Sequence, residues 1–130
     1  VAFLPYPGNY GFVPRTLLSR EAGGDGDPLD VLVLGPAVPR GSVLTVRVIA
    51  VLGMHDGGEV DDKLIAITPD GPFGDVGSLA ELRERFPGAL ELVADWFAYY
   101  KGPGVVTIGD YADHTVADAL LHTAITAFQD

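Results

Sequence analysis

Cysteine is absent from this 130-residue chain, which excludes a disulfide framework, a thiolate nucleophile and sulfur-ligated zinc. Positive charge is scarce, with eight Lys and Arg against eighteen Asp and Glu and a formal net charge of −10. The few basic residues are scattered, so neither nucleic acid nor an anionic membrane is expected as a partner. No apolar run reaches the ~18 residues of a membrane span, and no segment resembles a signal peptide. A cytoplasmic location is expected. The three histidines, His55, His114 and His122, lack metal-ligand spacing and read as surface residues.

What remains is acid, glycine and apolar residues. Hydrophobic residues make up 48% of the chain and charged ones 20%, the balance of a globular protein with a real core, and the length suits one domain over residues 1–130. An acidic surplus of this size fits cation binding better than anion binding.

The acids are not spread evenly. Asp25-Gly26-Asp27-Pro28-Leu29-Asp30 puts three carboxylates within six residues, just ahead of the apolar run 31–34. Like charges at that spacing oppose folding unless a cation neutralises them. Carboxylate oxygens are hard ligands suited to Mg²⁺, an ion that keeps part of its water shell and shares its coordination with substrate phosphate. An EF-hand is excluded, because its sixth and twelfth positions counted from Asp25 hold Asp30 and Pro36 instead of Gly and Glu. A solvated acidic turn is the competing reading.

A second acidic segment runs from Met54 to Lys63. Its Asp56-Gly57-Gly58 core is hairpin-turn chemistry, since glycine supplies the positive φ that tight turns require. Such a turn brings Asp56 and Asp61 together across two strand ends. Side chains alternate along a strand, so Asp61 and Lys63 share one face and Asp62 takes the other. A carboxylate beside an ammonium suits a complex of metal and phosphate; it is also what an ordinary surface hairpin with one ion pair would present. Glu59 and Asp62 read as solvated turn acids.

Elsewhere the pattern predicts strands first and helices later. Residues 42–54 alternate, with Leu44, Val46, Val48, Ala50, Leu52 and Met54 expected on one uninterrupted apolar face of a long strand. Further strands are expected over 63–68 and 105–111. Ser78-Leu79-Ala80-Glu81 is a capping box that opens a short helix, Pro87 begins another that runs to Tyr100, and Gly102 ends it. A last helix over 115–128 should bury Val116, Leu120, Thr123 and Ala127. This order argues for an α+β domain, a small closed barrel with helices packed outside.

Taken together, Tyr6-Pro-Gly-Asn-Tyr10-Gly-Phe, Asp25-Gly-Asp-Pro-Leu-Asp30, Asp56 followed by Asp61-Asp-Lys63, and Tyr100-Lys101 resemble, in order, spacing and type, the motifs of the family I soluble inorganic pyrophosphatases. The resemblance runs from residue 3 to about residue 101. It implies a five-stranded barrel of oligonucleotide-binding type, and hydrolysis of inorganic pyrophosphate to two phosphates by a metal-activated water attacking in line. Several Mg²⁺ ions serve this chemistry, with Mn²⁺ or Zn²⁺ as substitutes, and the family forms homo-oligomers, hexamers in bacteria.

Carried across by position, the resemblance makes Asp25, Asp30, Asp56 and Asp61 metal ligands and Asp27 the general base. Tyr10 orients groups at the nucleophile, and Lys63, Tyr100, Lys101 and Tyr6 form the substrate-binding set. Lys63 and Lys101 are the only lysines in the chain, and both fall on motif positions. The physics suits these roles, because neutralising the charge of pyrophosphate and its transition state is most of what such a catalyst must do. Taken singly, Lys101 is also a favourable charge at a helix C-terminus, and the tyrosines are also half-buried aromatics. One departure bears on the whole. The family carries a glutamate pair, a lysine and an arginine ahead of its first aromatic motif, which this sequence, starting at Val1 without Met, does not show; the expectation is that the natural protein has that segment ahead of Val1, the alternative being a shortened homologue. A second class of function is therefore carried alongside the enzyme: a catalytically weak homologue serving as a metal- and phosphate-binding oligomer subunit.

Overall fold

The computed structural model describes residues 8–100, 102 and 104–129. Among these residues six strands form one mixed sheet: β1 (Gly8–Phe12), β2 (Asp30–Leu34), β3 (Arg47–Asp56), β4 (Glu59–Val60), β5 (Lys63–Ile67) and β6 (Val106–Asp113). Three α-helices accompany them there, α1 (Leu79–Arg85), α2 (Ala89–Tyr100) and α3 (His114–Gln129). The strand order is β1-β2-β5-β3-β4, with β6 on the other side of β3. β2 and β5 run parallel, and β1–β2, β3–β5, β3–β4 and β3–β6 are antiparallel.

The closure of the five-stranded barrel expected from the sequence is not seen among the described residues. A barrel closes only when its terminal strands pair, and among the described residues β1 pairs β2 while β6 pairs β3. Among the described residues the result is an open six-stranded α+β sheet covered by helices on both faces.

Alternation along the two parallel strands divides the core. Leu32 and Leu34 of β2, with Ile65 and Ile67 of β5, point to the face packed by Leu79 and Leu82 of α1 and by Leu90, Val93 and Phe97 of α2. Val31, Val33, Leu64 and Ala66 point to the other face, against Leu18, Leu29 and Ala117 and Ala124 of α3. Both strands are buried on both sides, which is why they read as continuous apolar runs. By the same parity Asp30 and Lys63, at the first positions of β2 and β5, fall on the α2 face.

The apolar face predicted for 42–54 is broken. The strand starts at Arg47, and the register slips between Val48 and Ala50, which inserts Ile49 as a bulge. A bulge reverses parity, so Val46 and Val48 pack on the α3 side while Ala50, Leu52 and Met54 pack on the α2 side. The stripe on α3 is also turned from the expected one. Ala117 and Ala124 are buried with Leu120 and Leu121 packed beside them, while Val116 and Thr123 are exposed, because small residues let the helix approach the sheet closely.

The helix signals fared better. Ser78 caps α1 by accepting from the Glu81 amide at 3.2 Å, Gly88 turns the chain into α2 at φ +88°, and Gly102 at φ +97° donates back to the Tyr99 carbonyl. Arg47 lies flat against the loop before α1, donating to the carbonyls of Gly74 and Val76 at 3.0 Å each. Among the described residues no helix is long and apolar enough to cross a membrane.

Candidate active site

Four segments build the site at one end of the sheet. The first is the acidic loop, held by its own backbone and by two neighbours. Leu18 donates to the Asp27 carbonyl and accepts from the Gly26 amide, and the buried Thr16 hydroxyl accepts from the Leu29 amide at 2.9 Å. Within the loop Asp25 Oδ1 accepts from the Asp27 amide at 2.9 Å, an Asx turn that fixes the two acids relative to each other. Gly24 packs so tightly on Leu18 that a Cβ would lie 2.6 Å from the Leu18 carbonyl oxygen, so this position admits only glycine.

The second segment is the hairpin. Gly57 and Gly58, at φ +59° and +87°, form a two-residue turn that pairs Asp56 with Glu59. The Val60 amide then donates to the Gly23 carbonyl, which ties the hairpin to the acidic loop, and the Asp61 amide donates to Met54. Strand parity places the next residues as the sequence predicts. Asp61 turns inward to Lys63, at 2.9 Å, and Asp62 turns away. Asp62 is not merely solvated, however. Its Oδ1 accepts from the Met54 amide at 3.0 Å, at the point where the β3–β6 register shifts and the regular ladder is interrupted.

The third and fourth segments, from β1 and α2, are aromatic. Tyr10 stands opposite Leu32 and so shares the α2 face with Asp30. Its ring meets Phe97 and Trp96 edge-on, and Tyr100 stacks on Trp96 with centroids 4.9 Å apart. Phe97 is fully buried, whereas Tyr100 is half exposed at the rim. Trp96 and Thr16 take no part in any motif that the sequence displays; helix periodicity places Trp96 one turn before Tyr100, while nothing in the sequence signals Thr16.

At the centre lies one buried ammonium. Lys63 Nζ is 2.6 Å from Asp30 Oδ2, 2.9 Å from Asp61 Oδ1 and 2.8 Å from the Tyr10 hydroxyl. The rings of Tyr10 and Phe97 lie 5.4 and 5.8 Å from it. Burial works against the Lys63 charge, but the hydrogen bonds to Asp30, Tyr10 and Asp61 outweigh it and hold the group above the ordinary lysine range. Burial raises the Asp61 carboxyl; Lys63 pulls it back, and the charges of Asp30 and Asp25 add to the rise. Burial likewise keeps the Tyr10 phenol firmly protonated. Among the described residues one buried ammonium thus meets two carboxylates with Asp25 close by, which leaves a deficit of positive charge at that point.

That deficit and the all-oxygen donor set fit a hard divalent cation. Among the described residues no three such side chains converge on one point as a ready-made cage; Asp30 and Asp61 do converge, with Asp25 near enough for its charge to raise Asp61. Asp27 is exposed beside them, and Asp56 is half-buried at the end of β3. Tyr6 and Lys101 lie outside the described residues. A groove of about 720 Å³ elsewhere, between β1, β2 and residues 38–46, is lined by Phe12, Val33, Val38 and Val43 but by none of the site carboxylates.

The family profile described as inorganic pyrophosphatase matches residues 1–129. An inorganic pyrophosphatase of Halalkalibacterium halodurans is 39% identical over 136 residues, covering 99% of this chain and 78% of that protein. The human inorganic pyrophosphatase is 40% identical over 114 residues, but these cover 76% of this chain and only 38% of the human protein. In three dimensions the chain is similar to an N-terminally truncated vacuolar soluble pyrophosphatase of Trypanosoma cruzi solved in complex with PPi. The TM-score is 0.88 at 27% identity, covering 94% of this chain and 52% of that one.

Proposed function

We propose that this chain, which belongs to the inorganic pyrophosphatase family, hydrolyses pyrophosphate to two phosphates with the help of Mg²⁺. In that reaction a water oxygen forms a bond to one phosphorus, the bridging P–O bond breaks, and the second phosphate leaves. The observation that carries the reading is the convergence of Asp30 and Asp61, from separate segments, on a single cation with the acidic loop fastened alongside. Asp25, Asp30, Asp56 and Asp61 would hold the divalent ions. Bound there, those ions would neutralise substrate charge and activate the attacking water.

The remaining work falls to the chain. Asp27, exposed and fixed by its amide to Asp25, would take the proton from that water. Tyr10, held protonated, would act as a donor that orients Asp30 and not as a base. Tyr100, half exposed, would bind phosphate oxygen through its hydroxyl; Lys101 and Tyr6 are assigned the same task from their motif positions. Trp96 would keep the Tyr100 ring in place through their stack. The family resemblance supports a cytoplasmic homo-oligomer, a hexamer on the bacterial pattern, and Mn²⁺ or Zn²⁺ as substitute metals.

The test is phosphate release from pyrophosphate, ATP and a simple phosphomonoester across a Mg²⁺ titration. Pyrophosphate should be strongly preferred, since the site is small and built for a compact tetra-anion. Absence of release from pyrophosphate at any Mg²⁺ or Mn²⁺ concentration would overturn the reading.

A further inference from the structure

A lysine ammonium has three N–H donors and accepts nothing. On Lys63 all three are spoken for, by Asp30 Oδ2, Asp61 Oδ1 and the Tyr10 hydroxyl, at 2.6, 2.9 and 2.8 Å. The side chain is 4% exposed and flanked by the rings of Tyr10 and Phe97. To contact an anionic substrate it would have to leave a charged partner behind in a buried place, and that is costly. The carboxylates are arranged differently. Asp30 and Asp61 each give the lysine only one of their two oxygens.

We infer that Lys63 is a positioning residue: it locks Asp30 and Asp61 by one oxygen apiece, so that their second oxygens stand aimed for cations, and it does not touch pyrophosphate. This rests on the function proposed above and departs from the phosphate contact that the family resemblance implies for this lysine. The register explains why the residue can do this. Asp30 and Lys63 are partners across the β2–β5 pair, and Asp61 precedes Lys63 by two positions on the same face, so rigid strands deliver all three groups to one point. Groups that hold a metal ligand from behind typically change metal affinity or activity by about 10–100-fold when removed.

The experiment labels amines on the intact wild-type chain with an acylating reagent and maps the products by mass spectrometry, which separates Lys63 from Lys101. It is run without metal, with Mg²⁺, and with Mg²⁺ plus imidodiphosphate as a non-hydrolysed pyrophosphate analogue. Lys63 should stay protected in all three states, with labelling about tenfold or more slower than in the denatured chain. A rise in Lys63 labelling when Mg²⁺ binds would mean that the lysine is released toward substrate, and the inference fails. In parallel, Lys63→Met should lose kcat by about tenfold or more while KM for pyrophosphate at saturating Mg²⁺ shifts by less than about threefold. A KM rise of about tenfold with kcat retained would be the signature of a lost phosphate contact and overturns the inference. If the variant does not fold, the labelling of the wild-type chain decides alone. A chain that releases no phosphate at all sinks the proposed function whatever the labelling gives, whereas an active chain with a labelled Lys63 sinks only this inference.

Discussion

Asp30 and Lys63 are register partners across the parallel β2–β5 pair, and their side chains meet at 2.6 Å. Partner residues in a sheet point to the same face, so an acid opening one strand and a lysine opening the next are brought together by backbone pairing alone. Asp61 joins them by parity. One ammonium faces two carboxylates; burial raises the Asp61 carboxyl, Lys63 pulls it back, and the charges of Asp30 and Asp25 add to the rise. A site in that condition attracts further positive charge, and this is the physical link between the sheet register and cation-dependent chemistry.

The role of Asp27 can be separated from that of the metal ligands. Asp27→Asn keeps the Asx turn, because that turn uses the Asp27 amide and the Asp25 carboxylate. Metal binding, followed by calorimetry with Mg²⁺ or by Mn²⁺ resonance, should therefore stay near wild type. Turnover should fall by about 10²–10⁴-fold, since an amide cannot accept the proton. Full activity between pH 6 and 8 would remove Asp27 from the role of base.

Tyr10→Phe deletes one hydroxyl and leaves the aromatic packing with Phe97, Trp96 and Tyr100 intact. What it removes is the acceptor at 2.8 Å from the Lys63 ammonium. A buried charged donor without its partner costs about 1–3 kcal/mol. Urea unfolding of the metal-free protein should show a loss of that order. An unchanged midpoint would mean that water replaces the hydroxyl and that Tyr10 does not hold the lysine.

How far these groups could be read in advance differs from one to the next. The acidic loop, the Gly57-Gly58 turn and the Asp61–Lys63 alignment follow from local rules, spacing and parity, and the chain obeys them. The Ser78 cap and Gly102 stop are equally local. The Ile49 bulge is not, because it belongs to the pairing of β3 with β5, and it reverses a face that the alternation alone left unbroken. Barrel closure depends on which strands meet at the sheet edges, a long-range property with no sequence period. Thr16 is the sharpest case, a buried hydroxyl that fastens the acidic loop across thirteen residues and has no motif to announce it. Asp62 was legible in direction but not in duty, since its partner, the Met54 amide, exists only once the ladder is interrupted.

Asp113 offers a pH test away from the site. Its carboxylate accepts from the Leu79 amide at 3.1 Å and the His114 amide at 2.8 Å, the first amides of α1 and α3. Those two bonds hold its pKa below the usual range. A lowered carboxyl contributes stability that is present above the unfolded value, about 3.9, and is lost as pH falls through the folded value. Asp113→Asn, which resembles the protonated acid, should cost about 0.3–1 kcal/mol at pH 7, given the exposure of the group. In urea unfolding the gap between variant and wild type should narrow toward zero below pH 3. A gap independent of pH would show that shape, and not charge, makes the cap.

Asp61 and Asp62 are identical in composition and adjacent in sequence, yet their surroundings assign them opposite tasks. Asp61 is 5% exposed and faces the ammonium; Asp62 turns outward and accepts from the Met54 amide. Asp61→Ala should remove a cation ligand, so the Mg²⁺ concentration for half-activation should rise by about tenfold or more and the rate at saturation should fall as well. Asp62→Ala should leave that concentration unchanged and instead cost about 1–2 kcal/mol in stability, because a half-buried amide loses its acceptor where the ladder cannot supply one. Asp62→Asn, which keeps an acceptor oxygen, should recover most of that loss. The measurements are Mg²⁺ activation of pyrophosphate hydrolysis and urea unfolding in EDTA, in one buffer for all variants. An Asp62→Ala protein of normal stability with impaired Mg²⁺ activation would reverse the assignment: Asp62 would then be the ligand, and the inward alignment of Asp61 with Lys63 would have no part in cation binding.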